Sequence, residues 1–584
     1  MTHLEGLEPS VQQENKMQNT IKKIIQDSCQ VLGLPEADFV IEHPENVDFG
    51  DFSTNISLVL SKQVGKNPRE LANIISEEIS KNLPNTISKV EVAGPGFINF
   101  YLSKDFFASE LQQILEKGKG YGEGRELEGK KIILEYTNTN VLKPFHIGHL
   151  MGNILGESLS RVFEFSGADV TRITYQGDVG LHIGKAIWGM MQRKDSFPAD
   201  TDSVSSKVKF VGDAYAFGSD QYEDNPEVAE EIKIINKKAY EKNDPEVNHY
   251  YDLARGWSLE HFEEIYKKLG TKFDDYLFES EVAADAIKII NEFCERGVFE
   301  KSDGAVVYKG EEKGLHTRVF INSQGLPTYE AKDIAHALRK FKKYPVDKSI
   351  IITANEQSDY FKVILSALGE IDSNIAGRTE HLSHGMLRLT EGKMSSRKGN
   401  VITGESLISE TEEAVSEIIK DRELPQEIKN KIAEEVAVAA IKFSILRQSP
   451  GGDIIFDREK AISFEGDSGP YLQYTAVRAA SVIEKAGWKN KEASFETYNK
   501  DAYPIEHFLY RFPEVVARAS YEKSPHYIVS YLIELASLFN GFYAHNKIID
   551  AGEESEYRLG VTQAVFNILS NGLYLLGIKV PERM

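Results

Sequence analysis

Apolar residues between positions 11 and 33 return to one helical face at Ile21, Ile24, Ile25, Cys29 and Leu32, which predicts an amphipathic helix. An extended segment, Phe39-Val40-Ile41-Glu42, and a turn at Phe49-Gly50-Asp51-Phe52 follow. Pro68 opens a further helix through Ile79, because the first helical position needs no N–H. Val90-Glu91-Val92 and Phe97 to Tyr101 flank Gly94-Pro95-Gly96 and predict two strands around a tight turn. A helix from Lys104 to Lys117 completes an α+β domain over residues 1–118, and Gly118, Gly120, Gly122 and Gly124 predict a linker.

From residue 119 to 400 the pattern alternates between strand and helix, as in a parallel α/β sheet. Ile132 to Tyr136 reads as a strand, Gly148 to Phe165 as a helix and Val170 to Tyr175 as the next strand, which closes one βαβ unit. Residues from about 190 to 275 are charged and mostly helical, and read as an insertion into the sheet. Sheet-like segments resume at Ala305 to Tyr308 and at Ser349 to Thr353. A helical connector over 401–464 contains the apolar helix Ile432 to Leu446. Residues 465–584 read as an all-α bundle, with helices over 471–486, 505–520, 525–545 and 557–576.

Composition narrows the class only slightly. The net charge of −22 argues against a wholly nucleic-acid-facing surface. Net charge says little about a local patch, however, and basic clusters occur at Arg339 to Lys343, Lys233 to Lys242 and Arg397-Lys398. An acidic protein also suits a cationic small substrate. Two cysteines, Cys29 and Cys294, make neither a disulfide framework nor a zinc cluster, so no structural metal is expected and a reducing cytoplasm fits. The first residues lack the order of a signal peptide, and no apolar run approaches the ~20 residues of a membrane span.

The chemistry is concentrated in two motifs. His146-Ile147-Gly148-His149 follows the first strand, and its imidazoles, three residues apart, share a helix face. A helix start offers N–H groups and a positive dipole end to phosphate, and Gly148 permits close approach. Two imidazoles there can stabilise charge that develops at phosphorus without a serine or cysteine nucleophile. Far downstream, Gly392-Lys393-Met394-Ser395-Ser396-Arg397-Lys398-Gly399-Asn400 sets cations and hydroxyls between glycines, which suits a departing pyrophosphate. Either motif alone is equally compatible with packed histidines or an exposed basic turn. Together they describe a site that surrounds a triphosphate.

The pair resembles the two signatures of class I aminoacyl-tRNA synthetases, and over nearly the whole length the chain resembles the arginyl enzymes. The first signature reads Glu135-Tyr136-Thr137-Asn138-Thr139-Asn140 and then Lys143-Pro144-Phe145-His146-Ile147-Gly148-His149. Asp467 to Tyr474 resembles the start of the anticodon-binding domain, Val580 to Met584 the usual last residues, and 46–75 with 93–100 the N-terminal tRNA-binding domain. The resemblance implies a Rossmann-like catalytic domain that activates arginine with ATP and Mg²⁺ and transfers it to the terminal adenosine of its tRNA. It also implies a monomer, and arginine activation that requires bound tRNA.

For the ATP site the resemblance implies His146, Gly148, His149, Lys393, Met394, Ser395, Ser396 and Arg397, with His146, His149, Lys143 and Lys393 catalytic. Many class I enzymes carry a second lysine where Ser396 stands, and Lys143 is expected to supply the missing phosphate charge. For arginine the matching positions are Glu135, Asn138, Asn140, Glu279, Tyr329, Asp333 and Gln357. A guanidinium presents five donors in one plane, which carboxylates satisfy best. Asp333, four residues after Tyr329, is expected to take it with Glu279 assisting, while Asn140 and Gln357 serve the α-amino or carboxylate end. Phe97, Asn99, Tyr474, Arg478 and Tyr543, with Phe539 and Phe542, are expected against tRNA, although aromatics at helical spacing also suit a core. A second departure is Gly177-Asp178-Val179, where the family more often has an aromatic after the aspartate. Another class I synthetase, a nucleotidyltransferase and a tRNA-binding homologue without activity are the alternative readings.

Overall fold

The computed structural model describes residues 16–389, 403–489 and 501–584. The second signature, Gly392 to Asn400 with Lys393, Met394, Ser395, Ser396 and Arg397, lies outside the described residues. The chain divides into two compact units, one of Leu127–Ser463 with Leu576–Ile578, the other of Met1–Glu126, Phe464–Leu575 and Lys579–Met584.

The first unit is built on a five-stranded parallel sheet. Its spatial order is Thr379–His384, Lys348–Ala354, Lys131–Glu135, Asp169–Gln176 and Asp275–Phe278. In chain order the strands lie 5-4-1-2-3. The winding therefore reverses between Lys131–Glu135 and Lys348–Ala354, and a crevice opens at the carboxyl ends of those two strands. Ala305–Tyr308, expected to continue this sheet, instead joins Glu300–Ser302 and Arg318–Ile321 in a separate antiparallel sheet. It pairs antiparallel with both neighbours, Ala305 opposite Ser302 and Val307 opposite Val319. The insertion between Asp169–Gln176 and Asp275–Phe278 is helical, with Leu181–Gln192, Val204–Asp224, Pro226–Glu241 and Pro245–Leu269. Each of the last three starts on a side-chain cap, Ser203, Asn225 and Asp244.

Helix Ile147–Phe165 lies across the sheet with almost every residue buried. Gly156 makes this possible, because a Cβ there would stand 2.2 Å from Cγ of the fully buried Tyr136. Gly156→Ala is expected to lower stability by about 1–3 kcal/mol through overpacking, read as a lower midpoint in urea unfolding. Val179 is buried.

In the second unit the strands Ile87–Ala93 and Phe97–Leu102 form the expected hairpin within a four-stranded antiparallel sheet. Its apolar face packs on Lys16–Val31, Pro68–Ser80 and Lys104–Lys117, and Tyr510 from the C-terminal bundle enters the same core. Asp51 accepts from His507 at 2.6 Å and Glu514 pairs with His43 at 3.0 Å. The segment read as a glycine linker is pinned, since Asn571 Nδ2 donates to the carbonyls of Gly118 and Tyr121, each at 3.0 Å. The helix expected over 505–520 is broken into Glu506–Leu509 and Phe512–Tyr521, because Pro513 has no N–H to continue the earlier turn.

Candidate active site

The crevice at the sheet reversal holds a cavity of about 500 Å³. Glu135, Asn138, Asn140, Glu279, Tyr329, Asp333 and Gln357 all line it, with His146, Gly148 and His149. These ten positions span 223 residues of sequence, from Glu135 to Gln357.

The wall between strand and helix is a bent segment. Thr137, Asn138 and Leu142 hold positive φ angles of 74°, 45° and 64°. Such backbone is rare outside glycine and is held here by side chains. Thr137 Oγ1 accepts from Asn153 Nδ2 at 3.1 Å, Asn138 Oδ1 accepts the Tyr175 N–H at 3.0 Å, and the Leu142 N–H donates to Ser258 Oγ at 3.1 Å. Asn140 pairs with Gly177, and its side-chain oxygen stands 2.3 Å from where a Cβ of residue 177 would lie, so only glycine fits there.

The two histidines cap their own helix. The His146 N–H donates to His149 Nδ1 and the His149 N–H to His146 Nδ1, each at 3.3 Å, and the rings stack with centroids 3.4 Å apart. Both Nδ1 atoms are thus acceptors, so in the neutral rings the proton resides on Nε2. Burial, helped by the nearby Lys143 charge, depresses His146 to about 4, and burial drives His149 well below its usual range. The rings therefore work as neutral hydrogen-bond donors, not as cations. Two of the N–H groups expected for phosphate are occupied by this reciprocal cap. Gly148 makes room for the His146 ring, which lies 3.1 Å from a Cβ at that position. The chain that carries the second signature rejoins the described structure opposite this cap, where Thr403 bridges His146 and the Gly404 N–H donates to Phe145 O at 2.8 Å.

Glu135, Glu279 and Asp333 line the cavity in different states, the first two buried and Asp333 partly so. Glu135 accepts from Lys340 Nζ at 2.6 Å and from His336 Nε2 at 2.8 Å. Burial alone would raise it, but the Lys340 ammonium and His336 outweigh that and hold it well below the usual range. Glu279 pairs with Lys332. Asp333 accepts from Tyr360 OH at 2.6 Å, and among the described residues no cation pairs with it. Burial, reinforced by the Glu135 and Glu279 charges, pushes its carboxyl up to about 8.

Two placements bear on the sequence expectations. Glu135 and Asn138 line the cavity, but their polar atoms are engaged by protein groups, including a 3.5 Å contact from Asn138 Nδ2 to Glu135 Oε1. Lys143 lines a second cavity of about 450 Å³ that shares Tyr329 with the first, its ammonium 5.4 Å from the centre of the Tyr215 ring. Residues that escaped the sequence reading are Tyr175, Lys332, His336, Lys340 and Tyr360. A signal existed for two of them, since Tyr329, Asp333, His336 and Lys340 form one helical stripe at intervals of four, three and four residues.

In the other unit, Tyr474, Arg478 and Tyr543 line a cavity of about 550 Å³ with Lys485 and Lys547. The Arg478 guanidinium lies 4.7 Å from the Tyr474 ring centre and 5.4 Å from that of Tyr543. Phe539 and Phe542 are buried in the bundle core instead, where helical spacing turns them inward. Phe97 is partly exposed, whereas Asn99 is buried and accepts from Ser53 Oγ at 2.7 Å, tying two strands together and presenting nothing to an RNA.

A doubly wound parallel sheet with a histidine-capped helix at its switch point, an acid-lined cavity beside it and a separate helical bundle define a class I aminoacyl-tRNA synthetase. Residues 110–458 match the family model for class I (R) tRNA synthetase catalytic domains. Residues 15–102 match the arginyl-tRNA synthetase N-terminal domain, and 472–584 the DALR anticodon-binding domain. An arginine–tRNA ligase from Halothermothrix orenii is 32% identical over 567 residues, covering 96% of this chain and 98% of its own. One from Treponema denticola is 32% identical over 588 residues, covering 97% and 98%. The Thermus thermophilus arginyl-tRNA synthetase structure shares the fold with a TM-score of 0.76 at 23% identity, covering 97% of this chain and 100% of that one. The chain belongs to the arginyl-tRNA synthetases, ATP-using ligases that charge tRNA with arginine.

Proposed function

We propose that the switch-point cavity of this arginine–tRNA ligase holds arginine with its guanidinium on Asp333 and its carboxylate toward the His146–His149 cap. Asp333 carries this reading, as a half-buried carboxyl in the cavity wall with a tyrosine donor and no cation of its own among the described residues. Lys332 neutralises Glu279 and Lys340 neutralises Glu135, so these two acids shape the pocket and set its field, and Asp333 is the one of the three left for a cationic substrate. Asn140 and Gln357, at the lip, take the α-amino or carboxylate end. Tyr329, half-exposed at the rim, borders the pocket.

In this reading the arginine carboxylate attacks the α-phosphorus of ATP, and pyrophosphate leaves toward Lys393, Met394, Ser395, Ser396 and Arg397. The Nε2–H groups of His146 and His149 donate to the charge that develops on the phosphoryl oxygens. Neutral donors suit this role, because they stabilise the transition state without pairing tightly to the ground-state triphosphate. Mg²⁺ travels with the triphosphate oxygens, which supply most of its ligands. No group of three acidic, histidine or cysteine side chains gathers to hold it among the described residues. A ribose hydroxyl of the terminal adenosine of the tRNA then takes the arginyl group. Phe97 in the N-terminal domain and the Tyr474–Arg478–Tyr543 surface in the bundle contact the tRNA, the latter by stacking on unpaired bases.

The test is amino-acid-dependent exchange of pyrophosphate into ATP, with and without tRNA. Exchange with arginine alone, and only with tRNA present, is the expected result. Exchange driven by another amino acid would overturn the pocket assignment. Lys143→Ala is expected to slow arginyl-adenylate formation at least about tenfold, since its charge acts on the histidine cap. An unchanged rate would leave phosphate neutralisation to residues 393–397 alone.

A further inference from the structure

One polar atom of the arginine cavity is unaccounted for. Tyr175 lines the cavity from the carboxyl end of strand Asp169–Gln176, is 7% exposed, and its hydroxyl has no hydrogen-bond partner among the described residues. A buried hydroxyl left unpaired costs free energy, and such groups occur where a ligand completes the bond. The ring is not free to turn away. It stacks on His336 with centroids 3.8 Å apart and planes 4° from parallel. His336 is in turn bonded to Glu135, which Lys340 holds. Asn138 Oδ1 fixes the Tyr175 backbone from the other side. Glu135, Glu279 and Asp333 line the same cavity as this ring.

We propose that the Tyr175 hydroxyl is a specificity-determining acceptor for the guanidinium of the substrate, taking an N–H that the Asp333 carboxylate does not reach. The proposal rests on the reading that this cavity binds arginine. A guanidinium offers five N–H donors, and a carboxylate accepting it side-on uses two. A neutral oxygen beside the acid satisfies a further donor without adding charge to a pocket already lined by five carboxyls. The chain Lys340–Glu135–His336–Tyr175 then has a function, since it sets the height and tilt of the ring that carries the acceptor. The same oxygen raises selectivity, because a ligand without a donor at that point leaves it unpaired.

The experiment compares Tyr175→Phe with the parent enzyme, using arginine and agmatine, which keeps the guanidinium and lacks the carboxylate. Phenylalanine preserves the stack and removes only the hydroxyl. The expected result is that KM for arginine and the inhibition constant of agmatine rise together, by at least about tenfold. KM for ATP and the unfolding midpoint should change little. An arginine KM within twofold of the parent would overturn the proposal. So would a weaker arginine with unchanged agmatine, which would move the hydroxyl to the α-carboxylate end. Asp333→Asn is the control for the underlying reading. If that variant binds arginine normally, the cavity assignment itself fails, whatever Tyr175 does.

Discussion

Asp333→Asn is expected to make the free enzyme more stable and nearly inactive. The carboxyl is partly buried in the cavity wall, lacks a cationic partner among the described residues and ionises near 8, against 3.8 for an unperturbed aspartate. A carboxyl raised in this way retains a proton in the folded state that the unfolded chain releases. Its contribution to stability therefore falls as pH rises from about 4 to about 8, and at neutral pH the site costs a few kcal/mol. Asparagine fills the same space, still accepts from Tyr360, and carries no charge. Its unfolding midpoint should exceed that of the parent by a few degrees at pH 7.5, and the gap should close near pH 4. Arginine reverses the comparison, because the planar guanidinium of its side chain would meet an amide where it needs an anion. An unpaired buried charge costs about 3–5 kcal/mol, so kcat/KM for arginine should fall about 10²–10⁴-fold. In the parent enzyme, arginine affinity should rise nearly tenfold per pH unit until about pH 8 and then level off. Calorimetric titration in two buffers would detect the proton released on binding. An Asp333→Asn enzyme that is less stable than the parent, or that charges tRNA normally, would refute this account of the pocket.

Lys340→Met is the second variant with a large expected effect, and it acts on folding. The Lys340 side chain is fully buried with its ammonium on Glu135. Methionine removes the cation and leaves the carboxylate with His336, a ring that burial keeps neutral. Breaking a buried pair from one side costs about 3–5 kcal/mol. The double variant Lys340→Met with Glu135→Gln should recover most of that loss, because no charge is then left stranded. The single variant should also regain ground as the pH falls and Glu135 takes up a proton. Urea unfolding of the two single variants and the double variant closes the cycle. Additive losses would mean that the two residues are not coupled.

Much of the frame was legible in sequence because it rests on local periodicity. The helix starts at Pro68 and Lys104, the hairpin around Gly94 to Gly96 and the βαβ unit over 131–176 need only apolar spacing and a turn or cap residue. The strand Thr379–His384 was not legible. Its residues, Thr-Glu-His-Leu-Ser-His, are mostly polar, and they form a strand because they pair along Lys348–Ala354 at the edge of a sheet already built. Ala305–Tyr308 misled for the opposite reason, since a short apolar run does not tell which sheet will take it.

For the site, the sequence by itself determined the inventory, namely two histidines at a helix start, carboxylates and amides for a guanidinium, and a basic hydroxyl-rich segment far downstream. It did so because these choices are chemical, and residue type limits what each position can donate or accept. Only the tertiary structure decided which acid was free. Glu135, Glu279 and Asp333 are interchangeable as letters. They differ because Lys340 and Lys332 reach the first two and nothing cationic among the described residues reaches the third. The protonation of the histidine cap and the unpaired hydroxyl of Tyr175 are likewise results of burial and of distances between segments remote in the chain, and these exist only once the sheet has brought those segments together.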